Sequence, residues 1–316
     1  MTVPMDITPD ELEEITHEPD DVVRRRHFTL GTVIFWLCVV VLLFLTLFPF
    51  YWSLRTALST NASLPTNSTS LLPGEWSLGG FKRALGMSST EESIAAGGSG
   101  AEINFLRALL NSFIVATMVT IGQVLCCAMA AYAFARLKFP GRNALFFLVL
   151  TALMIPPIFT LLPNFTFVQD RGWLNTYIGI AAPTLLMTPF AIFFLRQFFL
   201  TIPWEIEEAA SIDGAGPFRT FFTIILPMAA SSVVTLAVLT FITQWNDYMW
   251  PKLVGPDESV RVLTASLGNF RSQTPQGTPD WSGLMAANWI SMVPILILLL
   301  IVGKRLVNSI QFSGIK

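Results

Sequence analysis

The chain has 316 residues, of which 53% are hydrophobic and only 13% charged. A soluble domain carries about 25% charged residues, so this chain cannot clothe a water-facing surface; a disordered chain, a collagen-like repeat and a disulfide-stapled secreted fold are excluded as well. The formal charge of −2 hides an asymmetry: residues 1–23 hold eight of the 21 acids and no Lys or Arg, leaving 13 acids against 19 bases in the rest.

The acidic segment (Asp6, Asp10, Glu11, Glu13, Glu14, Glu18, Asp20, Asp21) reads as a solvated tail over residues 1–27, ahead of a membrane domain over 28–316. A bilayer core needs about 20 apolar residues per helix. Six stretches qualify: Leu30–Leu54, Leu109–Ala135, Ala144–Val168, Tyr177–Leu195, Thr220–Trp245 and Trp281–Gly303. None contains Asp, Glu, Lys, Arg or His. The expected fold is therefore all-α and polytopic, with six transmembrane helices. The first stretch is too long, and its polar lead too long and acidic, for a cleaved signal peptide, so it is expected to remain as a span.

Orientation follows the excess of Lys and Arg on the cytoplasmic side. Arg24, Arg25 and Arg26 precede the first stretch; Arg136, Lys138 and Arg142 lie between the second and third; Lys304, Arg305 and Lys316 follow the last. Both termini are expected in the cytoplasm. The outer loops, about 55–105 and 247–280, carry bases too, but long loops weigh little in the rule. Prolines recur within the spans (Pro49, Pro156, Pro157, Pro163, Pro183, Pro189, Pro294). Each removes a backbone donor, so they mark either ordinary kinks or broken helices around a pathway.

Several chemistries are missing. The spans hold no ionisable relay of the kind that ion-coupled transporters use. No glycine-rich phosphate loop exists; Gly303-Lys304-Arg305 lacks both the loop and the hydroxyl residue. Neither HExxH nor GxSxG occurs, and the two histidines, His17 and His27, lie in the tail. Cys38, Cys126 and Cys127 sit in apolar runs without CxxC spacing and read as packing residues. An enzyme is not expected. A channel, a passive facilitator, or a membrane subunit driven by another protein remains.

The segment Thr201–Pro217 separates the fourth and fifth stretches. Thr201 is a candidate cap and Pro203 suits a first helical turn. Glu205, Glu207 and Glu208 favour the positive end of a helix, Gly214 can stop it in the left-handed conformation, and Pro217 can open the next. The spacing predicts a surface helix of about ten residues with Trp204, Glu208, Ser211 and Ile212 on one face. An interfacial amphipathic helix would carry Lys and Arg; this one has three glutamates and no base, which favours a cleft on a protein partner over anionic lipid.

Here the residues carry a resemblance. Glu208-Ala209-Ala210, Asp213-Gly214-Ala215, Phe221 and Leu226-Pro227 resemble, in kind and spacing, the EAA signature of membrane subunits of bacterial ATP-binding-cassette (ABC) importers. Ile155-Pro156-Pro157 with Leu162-Pro163, Gly172-Trp173-Leu174-Asn175-Thr176, Trp245-Asn246-Asp247 with Trp250-Pro251, and the terminal Gly-Ile-Lys look like its carbohydrate branch, the MalG-like permeases. The likeness covers about residues 28–316; the acidic tail and the long first outer loop depart from it. It implies a permease moving a sugar, such as a di- or oligosaccharide. Implied partners are a homologous second permease, a cytoplasmic ATPase dimer that uses the ATP, and an extracytoplasmic solute-binding protein; this chain itself needs no cofactor. It further implies that Glu208, Ala209, Ala210, Asp213 and Gly214 form the site that docks in the ATPase. Phe218, Phe221 and Phe222 either anchor that loop to the fifth span or are ordinary lipid-facing or core aromatics. Gln244, Trp245, Asn246, Asp247, Tyr248 and Trp250 either line the outer end of a sugar pathway or form an aromatic belt. Gly268-Asn269-Phe270 is a candidate contact for the binding protein. Asn111, Gln123 and Gln244 either touch solute or join helices. A non-sugar cargo and a stand-alone channel are the competing functions.

Overall fold

The computed structural model describes residues 30–98, 104–268, 270 and 279–311, with side chains described to residue 303. The acidic tail, Arg24–Arg26, both histidines, Asn269, Arg271 and the terminal Gly-Ile-Lys lie outside the described residues, as do the side chains of Lys304 and Arg305. Every regular element described is helical; the sole β contact among these residues is a bridge between Ser59 and Trp76.

The chain divides after Tyr51 into two units. The first is described over residues 30–51, the greater part of helix α1 (Leu30–Ala57). Its side chains are exposed almost throughout, as befits an apolar rod whose solvent is lipid.

The second unit is built around α4 (Phe105–Arg136). Its buried residues (Phe105, Ala108, Asn111, Ser112, Val115, Val119 and on to Ala135) recur every three or four positions, so one face is covered along the whole length. Many are alanines, which let neighbouring helices approach closely, as membrane packing requires. Gly122 carries this furthest: a Cβ there would lie 2.6 Å from the carbonyl oxygen of Leu185.

The predicted stretches fare differently. The second and sixth are single helices, α4 and α15 (Trp281–Gln311), and α1 runs unbroken through the first. The third is divided. Helix α5 (Arg142–Thr151), continued by a 3-10 turn to Met154, and α6 (Pro157–Asp170) meet at 101°. Ile155 and Pro156 are extended, since the residue before a proline is driven out of the helical region. The fourth comprises a five-residue helix α7 (Tyr177–Ala181), a turn containing Pro183, and α8 (Pro189–Thr201). The fifth begins with α10 (Pro217–Thr220), a π-turn over Phe221–Ile225 and α11 (Leu226–Met228), then bends by 80° at Ala229 into α12 (Ala230–Trp245). Among the described residues, three helices are by themselves long and apolar enough to cross a membrane, or five spans if each bent pair counts once.

On the side expected to face outward, α2 (Gly79–Ala84) packs near the start of α15. Arg83 grips Asp280 with two parallel bonds, Nε–Oδ2 at 2.7 Å and Nη2–Oδ1 at 2.9 Å, and donates to Ser282 Oγ at 2.6 Å. Both side chains are buried. Asn61 completes the clasp, accepting from the Trp281 backbone at 3.0 Å and donating to the Gly97 carbonyl. Short helices α3 (Thr90–Ala95), α13 (Met249–Val254) and α14 (Leu263–Leu267) complete the unit.

Candidate functional site

The predicted surface helix forms as α9 (Glu205–Ile212), eight residues long. Its stop is as read. Gly214 takes φ +78°; its N–H donates to the Ser211 carbonyl at 3.0 Å, and the Ala215 N–H to the Ala210 carbonyl at 2.9 Å. This paired Schellman arrangement satisfies carbonyls that the helix end would leave orphaned. Pro217 opens α10. The start needs correcting. Thr201 is the last residue of α8, its hydroxyl bonded to the Phe198 carbonyl; Pro203 lies outside the helix, and Trp204 stands at the N-cap without a side-chain bond. The three glutamates occupy the first turn, where the helix dipole favours them.

Two faces of α9 differ sharply. Trp204, Glu208, Ala209, Ser211, Ile212 and Asp213 are exposed, Ile212 to 88%. An isoleucine so uncovered beside two carboxylates suits a mixed apolar and acidic contact. Ala210 is buried. Glu207 turns inward, a role the sequence did not announce. Its Oε1 lies 3.1 Å from Arg136 Nε, with both side chains at most one-tenth exposed, and its Oε2 accepts from the Tyr132 hydroxyl at 3.2 Å. Arg136 also donates to the carbonyls of Phe199 and Ile202 at the end of α8, and lies 5.6 Å over the Trp204 ring. One guanidinium thus gathers α4, α8 and α9, using the planar fork that lysine lacks.

Phe221 closes the group from the π-turn. It is buried, 5.1 Å from the Tyr132 ring and 6.4 Å, edge-on, from Phe199. Of the three phenylalanines it alone is an anchor; Phe218 and Phe222 are exposed by 75% and 48%.

The family model described as "Binding-protein-dependent transport system inner membrane component" matches residues 122–311, which include this whole loop. The chain belongs to that family. It is the membrane permease subunit of an ABC importer, a transport component rather than an enzyme, and it is a multi-pass inner-membrane protein. Permeases of this family work with a partner permease, an ATPase and a solute-binding protein. The permease is 30% identical over 274 residues to the sn-glycerol-3-phosphate transport system permease protein UgpE of Brucella abortus, covering 87% of this chain and 94% of that protein. It is 31% identical over 281 residues to the UgpE protein of Agrobacterium fabrum, covering 89% and 96%. In fold it resembles a chain of a bacterial ABC transporter involved in the import of the acidic polysaccharide alginate, with a TM-score of 0.69, 20% identity, and 88% and 98% of the two chains covered.

The residues weighed as a pathway lining or an aromatic belt make different contacts in the permease. Trp245 is buried against Phe241 (stacked, 5.7 Å) and donates from Nε1 to the Ser291 carbonyl, so it packs α12 on α15. Trp250 donates to the Ile180 carbonyl at 2.9 Å. Asn246 is exposed and bonds back to Ile242 in its own helix. Tyr248 is 39% exposed and accepts from Lys252 at 2.6 Å. Asp247 is half-buried; burial raises its carboxyl above the ordinary range, although the backbone N–H groups of Trp250, Tyr248 and Met249 pull the other way. Gln244 donates to Thr184 at 3.3 Å, and Gln123 to Thr188 and Thr240 at 3.0 and 3.3 Å. Asn111 ties Tyr177 to the backbone of Ser259 and Arg261. These three polar side chains join elements across the membrane unit.

Proposed function

We propose that this permease carries a polyhydroxylated solute, a sugar or a small polyol phosphate, delivered by an extracytoplasmic binding protein, and that an ATPase dimer drives it through α9. Glu208, Ala209, Ala210, Asp213 and Gly214 form the coupling site. A homologous second permease completes the pathway, both termini face the cytoplasm, and residues 1–27 form a tail outside the membrane domain. The observation that carries the reading is the exposed acidic face of α9, ended by the Gly214 stop. A subunit without its own nucleotide site must receive mechanical work through a stiff contact, and closure of the ATPases against α9 would tilt the spans packed behind it.

Gly214→Asp would strain the left-handed stop, and Glu208→Lys would reverse the exposed charge. In the reconstituted complex both variants should insert normally yet lose uptake and solute-stimulated ATP hydrolysis. Normal uptake by both would remove α9 from the coupling role. The solute class is tested with the binding protein present, by comparing labelled disaccharide with sn-glycerol-3-phosphate. The names of the relatives support the phosphate, while the absence of any Lys or Arg from the apolar stretches favours a neutral sugar.

A further inference from the structure

A contact that receives a push is useful only if the push travels onward. The exposed face of α9 provides the contact, and of its residues Trp204 lies under the Arg136 guanidinium at 5.6 Å. On the opposite face, the buried cluster of Glu207, Arg136 and Tyr132 ties α9 to the spans. Glu207 offers both carboxylate oxygens inward, one 3.1 Å from Arg136 Nε and one 3.2 Å from the Tyr132 hydroxyl. Tyr132 and Arg136 stand one turn apart on α4, the 32-residue helix around which the second unit is packed. The same guanidinium ends on the carbonyls that close α8. Displacing α9 without α4 and α8 would separate a buried charge pair and break the Tyr132–Glu207 hydrogen bond, which is costly at a buried site. Moving the three elements together costs nothing of that kind.

We infer that Arg136, Glu207 and Tyr132 form a positioning strut that passes motion of the coupling helix to α4 and α8. The neighbouring carboxylates therefore divide the work: Glu208 faces the ATPase, whereas Glu207 faces the spans. This inference rests on the coupling reading of α9 given above.

The test uses the full reconstituted complex with its binding protein, ATPases and second permease, and reads solute taken up per ATP hydrolysed. Both rates refer to the same assembled particles, so a simple loss of folded complex lowers them together and leaves the ratio unchanged. Glu207→Gln keeps the shape and removes the charge; the ratio should fall about tenfold, within the usual range of coupling between sites, while the ATPases remain bound. Tyr132→Phe, which leaves the ion pair in place, should produce a smaller fall and carries the test if Glu207→Gln does not assemble. An unchanged ratio in an assembled Glu207→Gln complex, or in Tyr132→Phe where that variant carries the test, overturns the strut. The coupling reading fails separately, if Gly214→Asp and Glu208→Lys transport normally.

Discussion

Asp280 shows how much a single buried charge depends on its partner. Its carboxylate is fully buried and is met by the Arg83 fork, by Ser282 and by the Gly283 N–H at 2.9 Å. Removing one member of such a pair typically costs about 3–5 kcal/mol, because the other stays buried and uncompensated. Arg83→Ala should therefore lower the thermal midpoint of the detergent-solubilised protein by several degrees or prevent its accumulation; an unchanged midpoint would mean the clasp is not closed in solution. Asp247 gives a prediction with the opposite emphasis. In the unfolded chain its carboxyl ionises near the ordinary 3.8, and burial raises that value in the folded protein. Between the two values the folded state holds a proton that the unfolded state has lost, so stability falls as pH rises through that window. Asp247→Asn removes the titrating group. Denaturation midpoints followed across the acidic range should show the variant gaining on the wild type as pH increases, and parallel curves would contradict it.

Among the elements, the broken spans carry most of what hydropathy alone missed. A window of apolar residues registers the lipid-compatible surface, and α1, α4 and α15 are single helices because nothing in those runs outweighs it. The stretch Ala144–Val168 is equally apolar, yet Pro156 and Pro157 in succession push Ile155 and Pro156 out of helical geometry. The prolines were visible in the sequence; the 101° angle was not, since it depends on where α6 finds its neighbours. With both prolines changed to alanine, spin labels at positions 143 and 169 should move apart as the bend relaxes, and an unaltered distance would assign the bend to tertiary packing alone. The surface helix was legible because its signals are local: Gly214 for the stop and Pro217 for the next start. Its inner half was not. Tyr132 and Glu207 are 75 positions apart, and in the sequence Arg136 reads only as one more base on the cytoplasmic side. Trp245, which the sequence offered either to a pathway or to an aromatic belt, packs α12 on α15 through a contact that no local signal marks.

At the scale of the molecule, the α9 loop and the clasp region should lie on opposite sides of the bilayer. With Cys38, Cys126 and Cys127 replaced by serine, a membrane-impermeant thiol reagent should label Met87→Cys from outside intact cells and Ser211→Cys only in inverted vesicles, both sites being exposed. Labelling of the two from the same side would refute the orientation. The clasp also has a bearing on biogenesis. Arg83 and Asp280 are separated by 197 positions, so the acid that neutralises the arginine is synthesised only when most of the chain has already left the ribosome. Until the last helix is threaded into the bilayer, the guanidinium must stay hydrated on its own side of the membrane, and the clasp cannot close. A nascent chain arrested before residue 280 would therefore present an open clasp to quality-control proteases, and release of the arrest would restore protection in step with synthesis of the final span.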